Sequence, residues 1–462
     1  MFGLTVSEAA AICGGPVYTL PEVSYNPDTE LTGVTNDSRT AGPGSLFVAY
    51  LGEKTDGHLY INSALQKGAA CALGEYVPEG VAGPVIVCDD VQAAIEKLMV
   101  AFRRKVTIPV LGITGSVGKT TAKEMVASVL SQRFRVYKSA GNLNSTVGLP
   151  VSLGGISRED ELAVLELGIN HFGEMDHLGA MAKPDLLLFT RVAHAHLEYL
   201  GDLNGVYRAK TEVLSHMKPD APVFYNGDDP YLAPLGEREN SMSFGKGEHC
   251  QVRACNIAFH QEGMVTCEIH YENRVIPAEI RSFGEHMVLA ALEGAAVGLY
   301  FGLTDEEIAS GIAGYQTVGR RFSFQNTGSL QLIDDCYNAN PDSMMSSIDS
   351  LMDIPGRHVC VFGEMRELGG DTVPMHREIG AYAREKGVDL MIVSGALCTH
   401  MVEGYGEGAV FFPDKPSMIA GLPNLLQRGD AVLVKASLGS AYAEVSDFLK
   451  KLELPEKTSP KE

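Results

Sequence analysis

The residues best suited to chemistry in this chain stand together in Gly112-Ile113-Thr114-Gly115-Ser116-Val117-Gly118-Lys119-Thr120-Thr121. An apolar run precedes them and a helical pattern, Ala122 to Leu130, follows. Glycines let the backbone wrap a phosphate chain, and the amides of a helix N-terminus donate to it. Lys119 brings positive charge to the β- and γ-phosphates, and the Thr120 hydroxyl suits Mg²⁺. The strict Gly-x4-Gly-Lys-Ser/Thr spacing would need glycine at Ile113; here the glycines stand at 112 and 115.

Further clusters lie at or beyond the ends of apolar runs. Glu166 sits in Leu162 to Leu167. A carboxylate in an apolar strand is costly unless paired or metal-bound, and Mg²⁺ takes few carboxylates beside phosphate oxygens. A paired structural role and a metal role both fit it. His194 and His196 follow Leu186 to Val192. In an extended segment both would face one ion; in a turn one of them is structural. Arg208-Ala209-Lys210-Thr211-Glu212 lies on a helical pattern, where such a run ordinarily forms surface ion pairs. Asp334-Asp335-Cys336-Tyr337-Asn338-Ala339-Asn340-Pro341-Asp342 is rich in turn formers. It also offers two carboxylates and an aromatic ring that can hold a ribose and a base. Gly319-Arg320-Arg321 can carry positive charge to a γ-phosphate when domains close.

Three groups of short apolar runs, alternating with helical patterns, position these residues. Such alternation predicts parallel α/β units. The first group is Ser45 to Tyr50, Ala69 to Leu73 and Pro84 to Cys88, with a helix over Val91 to Arg103. The second is Val110 to Thr114, Leu162 to Leu167, Leu186 to Val192 and Val223 to Asn226. The third is Leu330 to Asp334, His358 to Phe362, Leu390 to Ser394, Ala409 to Phe412 and Ala431 to Lys435. Boundaries are expected at Arg103-Arg104-Lys105 and near Thr317 to Arg320. The expected fold is α/β in three domains: a small α/β substrate domain over 1–105, a central phosphate-loop ATPase-like parallel sheet over 106–317, and a doubly wound Rossmann-like sheet over 318–462. Open sheets of this kind bind ligands at the carboxyl ends of their strands. The tail from Pro455 to Glu462 offers nothing large and apolar to pack and is expected to fray.

Composition narrows the function. The 462 residues carry 37 Lys plus Arg against 58 Asp plus Glu, a net charge of 37 − 58 = −21. Such a far field repels phosphates, which argues against nucleic acid or anionic membrane as partners and requires any phosphate ligand to be held locally. Nine scattered cysteines without a Cys-x-x-Cys pair point to a reducing cytosol rather than a disulfide framework. Met1 to Gly15 makes a poor secretory signal, and no run of apolar residues is long enough to span a membrane. A cytoplasmic location is expected.

Taken together, the motifs resemble the Mur ligase family, ATP-dependent amide-forming ligases of cell-wall precursor synthesis. The resemblance is carried by the phosphate loop, by Asp37-Ser38-Arg39 and Asp56-Gly57-His58, by Gly141-Asn142-Leu143-Asn144, Glu166-Leu167-Gly168 and Ala195-His196-Leu197-Glu198, and by Tyr337-Asn338-Ala339-Asn340-Pro341 and Gly363-Glu364-Met365-Arg366-Glu367-Leu368-Gly369. It implies ATP bound by Thr114, Gly115, Ser116, Val117, Gly118, Lys119, Thr120 and Thr121, with Asp335 on the ribose and Arg320 on the γ-phosphate. It implies Mg²⁺ held by Thr120 and Glu166, and a second ion served by His196 and by Lys210 in carbamylated form. Lys119, His196, Lys210 and Arg320 would be the catalytic set. Ser38, Arg39, Asp56, His58, Asn142, Asn144, Asn338 and Asn340 would bind the substrates, a UDP-linked muramoyl peptide and D-alanyl-D-alanine. A monomer is implied.

The chain departs from the family pattern at three places. Met287 and Ala290 stand where asparagines are usual after Gly-x-His; Lys435-Ala436-Ser437-Leu438-Gly439 lacks the usual arginine; and Thr190-Arg191-Val192-Ala193 replaces Thr-Asn-x-Gly. Two other readings follow from them: a Mur-type ligase for another amine or carboxylate, and a non-catalytic paralogue.

Overall fold

A computed structural model describes residues 1–52, 55–260, 263–282 and 284–455. The expected fraying of the tail concerns residues 456–462, which lie outside the described ones. Three sheets follow one another along the chain. The first has five strands in the order Val17–Tyr18, Val85–Val87, Cys71–Gly74, Ser45–Val48, Gly33–Thr35, parallel except for Val17–Tyr18 at its edge.

The central sheet has nine strands. From one edge they run Arg274–Ile280, Met264–Tyr271, Val252–His260, Ser241–Gly245, Val223–Asn226, Leu186–Phe189, Val110–Thr114, Leu162–Glu166 and Val136–Lys138. The part that carries the motifs is parallel; the three strands at the Arg274–Ile280 edge form an antiparallel meander. That meander extends the expected central parallel sheet, which is present, at one edge. Its strands alternate buried and exposed residues, as one-sided strands do.

In the parallel part, neighbouring residues point to opposite faces and both faces are buried. Val110, Ala163, Leu187 and Val223 join one core, and Leu111, Val164, Leu188 and Phe224 join the other. The second core is closed by the helices Lys119–Leu130 and His286–Tyr300. The third sheet runs Ser323–Asn326, Gln331–Asp335, Ala431–Lys435, His358–Phe362, Leu390–Ser394, Ala409–Phe412, with only the first strand antiparallel. The chain order along it reverses at Ala431–Lys435, and Asp335 and Lys435 end the two strands that meet there.

The basic segment after the first sheet is a packed joint rather than a free linker. Arg103 is buried and donates to the carbonyls of Val106 at 2.8 Å and Ala182 at 2.7 Å and to Asp185 at 2.7 Å. Five donors in one fork suit Arg to tying two domains through backbone carbonyls. At the second junction, Arg320 is bound to Asp334 at 2.9 Å and to both oxygens of Asp447 at 2.8 Å.

Candidate active site

The phosphate loop leaves the end of Val110–Thr114 and enters the helix Lys119–Leu130. Gly115 has φ +149°, and a Cβ there would lie 2.0 Å from the Thr190 hydroxyl oxygen, so only glycine fits. Thr190 donates to the Val117 carbonyl at 2.6 Å, Ser116 N–H donates to the Arg191 carbonyl at 2.7 Å, and Ala193 N–H donates to the Ser116 hydroxyl at 3.0 Å. Thr190 to Ala193, which the sequence showed only as a departure from pattern, thus braces the loop. The Thr114 hydroxyl is buried without a partner among the described residues.

Below the loop, Glu166 accepts from the Thr120 hydroxyl at 2.8 Å and from the Asn144 amide at 2.7 Å. The carboxylate is paired, and its partner is the hydroxyl of the phosphate-loop threonine. These oxygens are hard donors of the kind Mg²⁺ takes. Lys119 folds back on the loop carbonyls of Gly115 at 2.8 Å and Ser116 at 3.3 Å. Burial pushes its ammonium below the ordinary lysine range, Glu166 opposes that shift, and Arg321 adds to it.

Lys210 is not on a surface. It is 1% exposed on the helix Leu203–Thr211, and its Nζ has no hydrogen-bond partner among the described residues. Burial, and next the Lys119 charge, hold it well below the ordinary lysine range. The surface ion-pair expectation for this segment fails because its members turn different ways. Glu212 accepts from Gly173 N–H at 3.0 Å and Arg208 lies over the Phe172 ring at 5.6 Å. A buried, unpartnered amine fits the carbamate reading, since carbamylation needs a neutral nitrogen and gives an anionic oxygen ligand.

The histidine pair separates. His194 donates its backbone N–H to Asp342 at 2.9 Å and places its ring 2.8 Å from the same carboxylate, docking the C-terminal domain. His196 takes φ +56°, lines the cleft, and has Nδ1 bound to Glu367. That hydrogen bond holds the Glu367 carboxyl below its usual range. The turn at His196 is why the extended geometry does not apply.

The cleft between the two domains is about 800 Å³ and opens at the carboxyl ends of the central strands. Asn142, Asn144, Asp335, Tyr337, Asn338 and Arg321 border it. Asp335 accepts from Phe322 N–H at 3.0 Å and from the Ser347 hydroxyl at 2.8 Å, and pairs with Lys435. Arg320 does not border the cleft. Its guanidinium is engaged within the C-terminal domain by buried Asp334 and by Asp447, where the expectation put it on the γ-phosphate. Arg321 enters instead, its guanidinium 3.7 Å from the centre of the Tyr337 ring. Asn340 is spent on structure: its side chain caps the helix Pro341–Met352 by accepting from Ser343 N–H at 2.9 Å.

In the first domain, Ser38, Arg39, Asp56 and His58 all follow strand ends of the five-stranded sheet. Arg39 is exposed and bidentate to Asp37. His58 is buried with both ring nitrogens used, one 2.7 Å from Asp56 and the other accepting from Glu75 N–H at 2.8 Å. It therefore positions Asp56 and has no free nitrogen for a substrate. A second groove, lined by Arg103, Lys183, His216 and Lys218, lies at the opposite, amino ends of the central strands. Ligand sites of open α/β sheets lie at the other end.

Residues 113–298 match the Mur ligase middle domain, residues 320–438 the Mur ligase glutamate ligase domain, and residues 30–110 the Mur ligase family catalytic domain. The UDP-N-acetylmuramoyl-tripeptide–D-alanyl-D-alanine ligase of Bacillus subtilis (strain 168) is 32% identical over 457 residues, 96% of this chain and 98% of that protein. The chain belongs to the Mur ligase family. The ligase of the same name from Escherichia coli (strain K12) is also 32% identical, over 96% of this chain and 98% of its own length. Among solved structures, a crystal structure of MurF from Acinetobacter baumannii superposes with a TM-score of 0.87 at 28% identity, covering 97% of this chain and 99% of that one. MurF ligase from Thermotoga maritima in complex with ADP gives 0.79 at 27% identity, covering 91% and 97%.

Leu438 departs from the expected pattern, and a guanidinium from another segment lies beside it. Leu438 is exposed, but Arg366 lies so close to Gly439 that a Cβ there would come within 2.6 Å of it.

Proposed function

We propose that this Mur ligase uses ATP to join D-alanyl-D-alanine to a UDP-N-acetylmuramoyl-tripeptide in peptidoglycan precursor synthesis. The observation that carries the reading is the cleft itself: the phosphate loop with Lys119, and Glu166, on one wall face Arg321, Asp335 and Asn338 on the other. Matches along nearly the full length to ligases of that name support it.

The tripeptide's terminal carboxylate attacks the γ-phosphorus, ADP leaves, and an acyl phosphate forms. The amine of D-alanyl-D-alanine then attacks the acyl carbon, and the tetrahedral intermediate expels phosphate to leave the amide. Lys119 swings from the loop carbonyls to the phosphates, and Arg321 neutralises charge on the transferring group. Thr120 and Glu166 would hold Mg²⁺, and His196 with carbamylated Lys210 would serve a second ion; the metal would supply charge neutralisation. Asn144 orients the Glu166 carboxylate. Ser38, Arg39 and Asp56, at the first sheet's strand ends, take the UDP moiety of the substrate. The domain roles over 1–105, 106–317 and 318–462, a monomeric state and a cytoplasmic location belong to the same reading. Enclosing the reactants between domains excludes water from the acyl phosphate.

The test is phosphate release in the presence of ATP with each candidate pair of carboxylate and amine. Release that requires both the tripeptide nucleotide and D-alanyl-D-alanine is expected; release with a different pair, or with none, overturns the substrate assignment.

The two arginines separate by phenotype. Arg321→Ala is expected to lower kcat/KM about a hundredfold or more, the cost of one donor to a transition-state charge. Arg320→Ala should leave turnover nearly intact and cost about 1–3 kcal/mol of stability, because buried Asp334 loses a partner. Steady-state phosphate release beside thermal unfolding distinguishes them; the opposite pattern would return the phosphate role to Arg320.

A further inference from the structure

The helix His286–Tyr300 is apolar along nearly its whole length, yet it carries Glu293 at 2% exposure. His286, Glu293 and Tyr300 are seven residues apart and share one stripe of the helix. At one end of that stripe the His286 ring meets Phe322 at 4.8 Å beside Asp335, the residue assigned to the ribose. At the other end Tyr300 rests on Phe224 of the central sheet at 5.6 Å. Glu293 lies between them, about 10 Å beyond His286 along the axis, and it borders the nucleotide cleft. Ala290, one turn before it, is too short to stand between the carboxyl and the cleft. Neither Met287 nor Ala290 has a hydrogen-bonding side chain.

We propose that Glu293 reads the base of the bound nucleotide, its carboxyl meeting the 6-amino group of adenine and the ring nitrogen beside it. The proposal rests on the nucleotide reading above. Among the described residues no hydrogen bond or ion pair engages the carboxyl, and an ionised group buried so deeply without a partner would be costly. Burial pushes it well above the usual carboxylate range, and no charged neighbour contributes to the shift. A neutral carboxyl offers an O–H donor next to a C=O acceptor. Adenine offers the complementary pair on either of its hydrogen-bonding edges, an amino donor beside N1 or beside N7. Phosphate loop, Asp335 and Glu293 then follow one another in the order phosphate, ribose, base.

Binding of ATP and of purine riboside 5′-triphosphate, which has hydrogen in place of the 6-amino group, tests this on the full chain by calorimetry. The unmodified protein is expected to prefer ATP about tenfold to a hundredfold, the effect of leaving a buried acceptor unpaired. Glu293→Gln, which keeps a donor and an acceptor, should retain the preference. Glu293→Ala should bind the two nucleotides equally, with ATP losing more affinity than the purine riboside compound, which forfeits only the bond to its ring nitrogen. Full preference for ATP in Glu293→Ala, or an equal loss of both nucleotides, would overturn the proposal while leaving nucleotide binding established. An unmodified protein that bound neither nucleotide would overturn the nucleotide reading along with it.

Discussion

Lys119→Ala is expected to abolish ligation while leaving the fold in place. Among the described residues its ammonium hydrogen-bonds only to the carbonyls of Gly115 and Ser116, and its side chain belongs to neither core flanking the central sheet. Its charge is needed only when phosphates fill the loop. A donor aimed at charge that develops in the transition state is worth about a hundredfold to a thousandfold in rate, and an ammonium on transferring phosphate belongs at the upper end. Phosphate release should fall by at least that factor, with the thermal unfolding midpoint nearly unchanged. Turnover at the unmodified rate would show that the loop does not hold the reacting phosphates.

The second large effect is expected at Lys210. Among the described residues the amine has no partner, so alanine forfeits no hydrogen bond, only the packing of the buried stem, and removing the amine relieves a desolvated group. If its carbamate supplies an oxygen to the second ion, Lys210→Ala loses an anionic ligand, and activity should drop about a hundredfold or more. Added short carboxylates, which fit the vacated space and bring the same kind of oxygen, should restore part of it. Full activity of the alanine variant without rescue would make Lys210 a buried helix residue and nothing more.

The sequence made the strands at the heart of the site legible because buried parallel strands are short uninterrupted apolar runs. Val110–Thr114, Val223–Asn226, His358–Phe362, Leu390–Ser394, Ala409–Phe412 and Ala431–Lys435 lie where those runs lie. The meander over 252–280 escaped because its strands are half polar and resemble loop sequence. Chemistry at strand ends was legible where residue type is restrictive: a Gly-rich loop with Lys-Thr, and a lone carboxylate in an apolar run. It was not legible where two like residues compete. Arg320 and Arg321 are adjacent, and which one enters the cleft depends on Asp447, more than a hundred residues away. The role of His58 was hidden because one of its two partners is a backbone N–H. Glu293 did carry a signal, an acid within an apolar helical run, of the same kind that singled out Glu166.

The central claim is that ATP activates the tripeptide's terminal carboxylate as an acyl phosphate. Labelling that carboxylate with ¹⁸O tests it directly, because the oxygen bridging carbon and phosphorus stays with phosphorus when the amine displaces it. Mass analysis of phosphate released during ligation to D-alanyl-D-alanine should find one ¹⁸O transferred per turnover from fully labelled carboxylate. Phosphate free of the label, formed at the same rate as the amide, would contradict the account.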